Sequence, residues 1–257
     1  MESGRQWRVM EPKRIRMFDL NSRSSRGLTL IEMLVGIAIV ALLAGLTAGA
    51  ISGARNASRR IAIEATTRQH LVVLGMYLQD FNDVHPWLGQ PVKGKLALKL
   101  PSGDSFSVYY FETSSAWPIA ASSYYDDVWP HRSHTYPRRH LGMSLYLYSC
   151  AMIADPTFWN PRTRVGSEQW RPTRSSEVRY PSQKSMLTSA VDGEPYPPWV
   201  KVALTMGMCD GSTRSVPKRE LAAPVETGDG AEPGLFHIRG YHGMHTLDGV
   251  HGIDVTR

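Results

Sequence analysis

Histidine and aspartate recur in the last part of this sequence at a spacing that suggests metal binding. In the stretch HIRGYHGMHTLDGVHGIDV, one or the other occupies every third position from 242 to 254, with His237 nearby. The five members are His242, His245, Asp248, His251 and Asp254. Imidazole and carboxylate groups bind zinc and other transition metals, and carboxylates with backbone carbonyls suit calcium. The spacing therefore raises the hypothesis of a metal site at His242, His245, Asp248 and His251.

The glycines between these residues argue against convergence of their side chains. Gly240, Gly243, Gly249 and Gly252 disfavour a long helix. A strand would place alternate members of a three-residue spacing on opposite faces. The alternative is a glycine-rich segment with structural histidines. We therefore expect no resident cofactor, and calcium or zinc at these residues is the hypothesis to be tested.

The two cysteines, Cys150 and Cys209, are the next candidates for chemistry. Two cysteines exclude a disulfide-rich scaffold and a four-cysteine zinc site. One disulfide between them and two buried free thiols both remain open, because sequence does not determine their geometry. The sequence contains no Gly-x-Ser-x-Gly elbow, no phosphate-binding glycine loop and no His-Glu-x-x-His motif. We therefore expect that the protein is not an enzyme.

A single carboxylate, Glu32, interrupts the most apolar stretch of the chain. Residues 28–51 are strongly apolar apart from Thr29, Glu32, Thr47 and three glycines. As a helix this stretch would be roughly 36 Å long, enough to cross a hydrocarbon core of about 30 Å. A charge in such a segment is costly and usually has a partner. The sequence therefore predicts one transmembrane helix that carries a functional acidic residue.

The positive charge of the chain is concentrated before this segment. The formal net charge is +6, and residues 1–27 hold seven basic and three acidic side chains, a net +4. Only +2 is left for everything after Gly27. A basic flank is typical of the cytoplasmic side of a membrane span. The charge therefore gives little support to a nucleic-acid partner, and we expect none.

The stretch RGLTLIEMLV resembles the cleavage and methylation signature of type IV prepilins and type II secretion pseudopilins. In that family a basic leader ends in glycine, a membrane peptidase cuts after it, and the new N-terminal residue is methylated. The resemblance implies a cut between Gly27 and Leu28, methylation of Leu28, and Glu32 as the fifth mature residue. Met17 begins a shorter leader of the family's usual kind, so translation from Met17 is the alternative to Met1.

The resemblance also implies a role for Glu32 and a set of partners. Glu32 would meet the ammonium of Leu28, either its own or, as the family implies, that of a neighbouring subunit whose axial register it fixes. The implied partners are the prepilin peptidase/N-methyltransferase, other pilin-like subunits and the assembly platform. The implied location is the inner membrane, crossed once with the head outside the cytoplasm, and then a periplasmic or cell-surface filament.

Three other interpretations of the apolar segment stay open. It could be a plain signal-anchor, or a secretory signal cut near Ala48-Gly49-Ala50. It could also anchor an extracytoplasmic metal-binding or enzymatic domain that uses a prepilin-like segment. Among filament systems, the sequence does not separate type II secretion from a type IV pilus or a DNA-uptake fibre.

The elements that must carry these residues begin with a long helix. No proline occurs from Ala54 to Phe81, and apolar residues recur mainly at three- or four-residue steps. This stripe consists of Ala57, Ile61, Ala65, Leu71, Leu74, Leu78 and Phe81. Asn82-Asp83, before His85-Pro86, predicts its end. The predicted domains are a removed leader (1–27), the transmembrane half of the helix (28–53), and an extracytoplasmic head (54–257) that includes an amphipathic helix (54–82).

Beyond Pro86 the sequence predicts strands separated by loops. Strands are expected within 106–112, 185–191 and 199–208, the last followed by a type I′ turn at Asp210-Gly211. The segment 141–156 is compatible with a helix or a strand, and a short helix that ends at Pro156 is favoured. Ordered loops are expected at 113–140 and 155–181. A long helix followed by antiparallel strands predicts an α+β fold. The family resemblance implies a pilin-like form of it, with the helix packed on an antiparallel sheet and with long loops.

Overall fold

The computed structural model describes residues 27–99, 105–125, 144, 146–189, 203–226 and 241–256. The chain divides into two compact units, Met1–Ala54 and Arg55–Arg257. Helix α1, Leu30–Asp80, contributes residues to both units. The second unit adds a short helix and two antiparallel sheets. The predicted α+β class with a long N-terminal helix is therefore confirmed.

Helix α1 begins and ends two residues inside the predicted range of 28–82. At its end, Asn82 and Asp83 adopt left-handed φ angles of 51° and 62°. The amide of Asp83 donates to the carbonyl of Leu78 at 2.8 Å. Asn and Asp tolerate this conformation better than most residues. These two residues therefore stop the helix, as the sequence predicts.

Only the last part of α1 is buried along one face. Leu71, Leu74 and Leu78 of the predicted stripe are buried, but Ile61 and Phe81 are 67% and 49% exposed. The prediction of one buried stripe over the whole amphipathic half was therefore wrong. The reason is that burial along α1 begins at residue 67, so Ile61 has no surface to pack against among the described residues. The other buried residues of this face are Thr67, His70 and Tyr77.

A four-stranded antiparallel sheet forms the centre of the second unit. Its strands are β3 (Tyr146–Tyr148), β4 (Ser185–Ser189), β5 (Ala203–Met208) and β6 (Thr213–Pro217), in the order β3-β4-β5-β6; the first pair of strands, described below, forms a separate sheet. The strands predicted within 185–191 and 199–208 are confirmed in their described parts. The helix predicted within 141–156 was wrong. In the described part of that range, Tyr146–Tyr148 pairs its backbone with β4, and Cys150–Met152 forms only a single 3-10 turn.

The β5–β6 hairpin is confirmed, but its predicted turn type was wrong. A type I′ turn needs positive φ at both central residues. Of Asp210 and Gly211, only Gly211 has one, at 83°. Its amide donates to the Met208 carbonyl at 3.0 Å, and the Met208 amide donates to the Ser212 carbonyl at 2.8 Å. This is the longer hairpin loop that places glycine in the left-handed position.

The remaining elements lie between α1 and this sheet in the sequence. Strands β1 (Lys95–Lys99) and β2 (Ser105–Tyr109) form a two-stranded antiparallel sheet. The strand predicted within 106–112 ends at Tyr109, because the Glu112 carboxylate accepts from the Tyr109 amide at 2.9 Å and caps a 3-10 turn. Helix α2, Thr113–Ala120, follows where a loop was expected.

Candidate processing and assembly site

The first turn of α1 is closed by a reciprocal pair of side chains. The Glu32 carboxylate accepts from the Thr29 amide at 2.8 Å and from the Thr29 hydroxyl at 2.9 Å. In return, the Glu32 amide donates to the Thr29 hydroxyl oxygen at 3.3 Å. The Thr29 carbonyl accepts the first helical bond, from Met33 at 3.2 Å. Thr29 and Glu32 therefore form a capping box, which satisfies amide groups that a helix start otherwise leaves unpaired.

This pairing gives Glu32 a local role besides the one that the family resemblance implies, in which its partner is an ammonium at Leu28 created by cleavage. In the uncut chain it bonds to Thr29 instead. The signal was present in the sequence, because Thr29-Leu30-Ile31-Glu32 has the Thr-x-x-Glu spacing of a capping box. Gly27 and Leu28 precede the helix and are exposed, so their peptide bond lies outside the first turn.

The apolar part of α1 presents its side chains outward. Leu30, Leu34 and Leu42 are between 63% and 81% exposed, and a Cβ atom at Gly45 or Gly49 would meet nothing within 4 Å. By length and composition, α1 is the one described helix that could cross a membrane. Such a surface needs hydrocarbon or other apolar helices around it.

The polar side chains of this segment bond within their own helix. The Thr47 hydroxyl donates to the carbonyls of Leu43 and Ala44, at 2.9 and 3.1 Å. Thr29 and Glu32 bond to each other. Polar groups are costly in hydrocarbon unless they have such partners. The hydroxyl groups of Thr29 and Thr47 are therefore compatible with a bilayer, whereas the charge of Glu32 remains costly there.

The prokaryotic N-terminal methylation motif matches residues 22–48. The chain carries the signature of prepilins and pseudopilins. No curated protein and no solved structure matches the chain, so the family likeness rests on these residues. The motif indicates a pilin-like structural subunit rather than an enzyme. It implies processing by a prepilin peptidase and assembly with other pilin-like subunits, and with the apolar helix it fits an inner-membrane anchor.

The histidines and aspartates of the last segment of this pilin-like chain have separate partners. The His242 Nδ1 donates to the Ala222 carbonyl at 2.8 Å, and Asp248 accepts from the Asn160 amide group at 2.9 Å. His245 is buried beside the rings of Trp159 and Tyr241. His251 is partly buried at the end of a 3-10 turn. His237 lies outside the described residues.

These side chains do not form a ligand set in the structure. No group of three or more His, Cys, Asp or Glu residues within the described ranges is arranged to hold a metal ion. The zinc or calcium hypothesis for His242, His245, Asp248 and His251 therefore stays a prediction without geometric support. Elemental analysis of the purified chain would test it.

The fifth member of that spacing, Asp254, forms a buried ion pair with Lys184. The Lys184 ammonium and the Asp254 carboxylate are 2.9 Å apart, and their side chains are 0% and 3% exposed. The same carboxylate accepts from the Ser185 amide at 2.9 Å and from the Thr246 hydroxyl at 2.5 Å. The Thr246 hydroxyl also contacts the Lys184 ammonium. This network attaches the segment 241–256 to the start of β4.

The two cysteines are free thiols in the structure. Cys150 is fully buried and its thiol points to the Phe111 carbonyl, whereas Cys209 lies partly buried in the β5–β6 turn. Burial raises the pKa of each thiol to about 12. A thiol held protonated in this way is a poor nucleophile. The sequence prediction left a disulfide open, and intact mass without reductant would test it.

Proposed function

We propose that this chain is a subunit of a filament or pseudopilus in a type II secretion or type IV pilus-like system. A prepilin peptidase cuts the bond between Gly27 and Leu28 and methylates Leu28. The apolar part of α1 anchors the subunit in the inner membrane with the head outside the cytoplasm, and then packs against other subunits. The observation that carries the proposal is the methylation motif over residues 22–48.

The geometry at the start of α1 supports the processing step. The Gly27–Leu28 bond precedes the capping box and is exposed, which suits access by a peptidase. Exposed segments outside regular structure are the preferred sites of proteolysis. The exposed apolar side chains of residues 30–47 support the anchoring and packing steps, because no described residue covers them.

The proposed role of Glu32 is to pair with the Leu28 ammonium once cleavage has created it. In hydrocarbon an unpaired charge is costly, so a carboxylate and an ammonium stabilise each other. If the ammonium belongs to the neighbouring subunit, this pairing fixes the axial register of the assembly. Glu32 would then leave its bonds to Thr29 or share them with the new partner.

Processing is tested by co-expressing the full chain with a prepilin peptidase and measuring intact mass. The expected product lacks residues 1–27 and carries one additional methyl group on Leu28. An uncut chain, or a product that begins near Ala50, would overturn the proposal in favour of a signal-anchor or a secretory signal.

Assembly is tested by the variants Glu32→Gln and Thr29→Val, compared by sedimentation of sheared filaments. Both variants disturb the capping box, but only Glu32→Gln removes the charge. We expect normal processing of both, loss of filaments for Glu32→Gln and retention for Thr29→Val. The matched control is Glu64→Gln, which removes the other glutamate of α1, in an exposed pair with Arg60. Equal assembly of Glu32→Gln and Glu64→Gln would contradict the register role.

A further inference from the structure

Arginines follow the apolar segment of α1 directly. Arg55, Arg59, Arg60 and Arg68 lie on the helix, and Glu64 is the one acidic residue among them. All four arginines are exposed. Arg60 pairs with Glu64 at 3.4 Å. Arg55 and Arg59 take part in none of the ion pairs formed within the described parts of the chain.

These charges are unexpected on the head side of a membrane span. Orientation in the membrane depends on an excess of Lys and Arg on the cytoplasmic flank. Residues 1–27 hold seven basic side chains, and four more arginines within residues 55–68 reduce that bias. Such charges weaken the bias towards the proposed orientation, and an interaction that favours them on the head side would offset this effect.

The length of the apolar segment determines how deep Arg55 and Arg59 lie relative to the bilayer. Residues 28–51 would be roughly 36 Å long, and a bilayer with its headgroups is about 40–45 Å thick. Arg55 comes four residues after Ile51, and Arg59 four residues later. Helical side chains lean towards the N-terminal end of their helix, and long basic side chains extend along apolar surface to the interface. Both guanidinium groups therefore reach the headgroup layer.

The two residues also share one face of the helix. Residues four apart lie one turn above each other, so Arg55 and Arg59 form a short basic column with no carboxylate on it. A guanidinium group binds phosphate through two parallel hydrogen bonds, which a lysine ammonium does not provide. Both the hydrogen-bonding geometry of the guanidinium groups and their depth in the bilayer match phospholipid phosphate.

We propose that Arg55 and Arg59 bind the headgroups of anionic phospholipids in the membrane leaflet that faces the head. The inference rests on the proposed membrane orientation. These contacts hold the subunit at a defined depth before assembly, and removal of the subunit from the bilayer must break them. An acidic surface on another protein could also pair with these two arginines. Lipid phosphates are favoured because the length of the apolar segment places the arginines at the depth of the headgroups.

The test uses the full chain in nanodiscs that contain phosphatidylcholine and spin-labelled lipid. The measured quantity is the association of labelled phosphatidylglycerol with the protein, relative to labelled phosphatidylcholine. We expect wild type to prefer phosphatidylglycerol, with about a fivefold loss of preference for each arginine replaced. The test variant is Arg55→Gln/Arg59→Gln. The matched control is Arg162→Gln/Arg179→Gln, which removes two exposed arginines elsewhere on the head.

The outcomes separate this inference from the proposed function. Resistance of the protein to alkaline extraction is measured first, and an extractable chain would overturn the proposed membrane anchor and this inference together. If the chain is inserted, a preference lost only in Arg55→Gln/Arg59→Gln supports lipid binding. Equal preference in wild type and that variant overturns it and leaves the anchor intact. A preference that survives concentrated salt would also contradict it, because salt screens exposed charges.

Discussion

Leu71 of α1 packs against Gly207 of β5 at a distance that leaves no room for a side chain on the strand. A Cβ atom at Gly207 would lie 2.9 Å from Cδ2 and 3.0 Å from Cγ of Leu71. Gly207 is paired with Leu187 on one side and Thr213 on the other, so its backbone is fixed within the sheet. The separation between the head part of α1 and the central sheet therefore depends on glycine at this position.

We expect Gly207→Ala to lower the free energy of unfolding by about 1–3 kcal/mol, because the added methyl group overpacks this contact. Thermal unfolding of the full chain in detergent, followed by circular dichroism, measures it. The matched control is Gly75→Ala on α1, where a Cβ atom would meet nothing within 4 Å. That change should stabilise by roughly 0.5–1 kcal/mol through helix propensity.

A double-mutant cycle tests whether Leu71 is the residue responsible. Leu71→Ala alone should cost about 2–5 kcal/mol as a core truncation. Combined with Gly207→Ala, the total loss should be smaller than the sum of the single losses, since each change relieves the other. Additive losses would show that Leu71 is not what limits residue 207.

The buried pair of Lys184 and Asp254 predicts an asymmetric response to substitution. Asp254→Ala leaves an ammonium without its partner in the interior and should cost about 3–5 kcal/mol. Lys184→Met/Asp254→Leu removes both charges and should cost much less than Asp254→Ala. For comparison, Glu64→Ala breaks the exposed pair with Arg60 and should change stability by less than about 1 kcal/mol. Equal losses in the single and double variants would contradict this account.

Two buried histidines predict acid sensitivity of the head. Burial lowers the pKa of both His85 and His245 to about 3, from 6.5. The unfolded chain therefore takes up a proton at each site below about pH 6.5, whereas the folded chain remains neutral there until about pH 3. Stability is fully present above pH 6.5 and should fall by roughly 1.4 kcal/mol per pH unit for each histidine in this window.

His245→Met isolates one of these contributions. His245 is buried beside the rings of Trp159 and Tyr241, and methionine is an uncharged side chain that adapts to such an apolar site. We expect the loss of stability between pH 6.5 and 3 to become less steep by roughly 1.4 kcal/mol per pH unit. Denaturant titrations at several pH values measure it. An unchanged slope would show that His245 is not neutral in the folded state.

The burial of the two thiols predicts slow alkylation. With a pKa of about 12, each thiol is almost fully protonated at neutral pH, and Cys150 is also inaccessible. We expect iodoacetamide to label neither cysteine readily in the folded chain and both in denaturant. Mass spectrometry counts the labels. Resistance to labelling in denaturant without reductant would instead indicate a disulfide between Cys150 and Cys209.

Elements that depend on hydrophobic periodicity could be predicted from the sequence. Features that depend on a single side-chain contact, such as the end of a strand, could not. The long helix and strands β4 and β5 follow from runs of apolar residues. The strand expected to reach residue 112 stops at Tyr109, because one carboxylate, Glu112, caps a turn. The regular spacing from His242 to Asp254 suggested a common site, but His242, Asp248 and Asp254 bond to three different partners, Ala222, Asn160 and Lys184. No period in the sequence encodes the pairing of Asp254 with Lys184, 70 residues away.

The capping box at Thr29 and Glu32 has a consequence for the removal of the leader. The hydrogen bonds described at the start of α1 join Thr29, Glu32 and Met33, and all three residues follow the Gly27–Leu28 bond. Cutting that bond as proposed would therefore remove none of these described hydrogen bonds. The proposed maturation would then change the electrostatics of this end of the helix, because it would add one positive charge beside a carboxylate that is already in place.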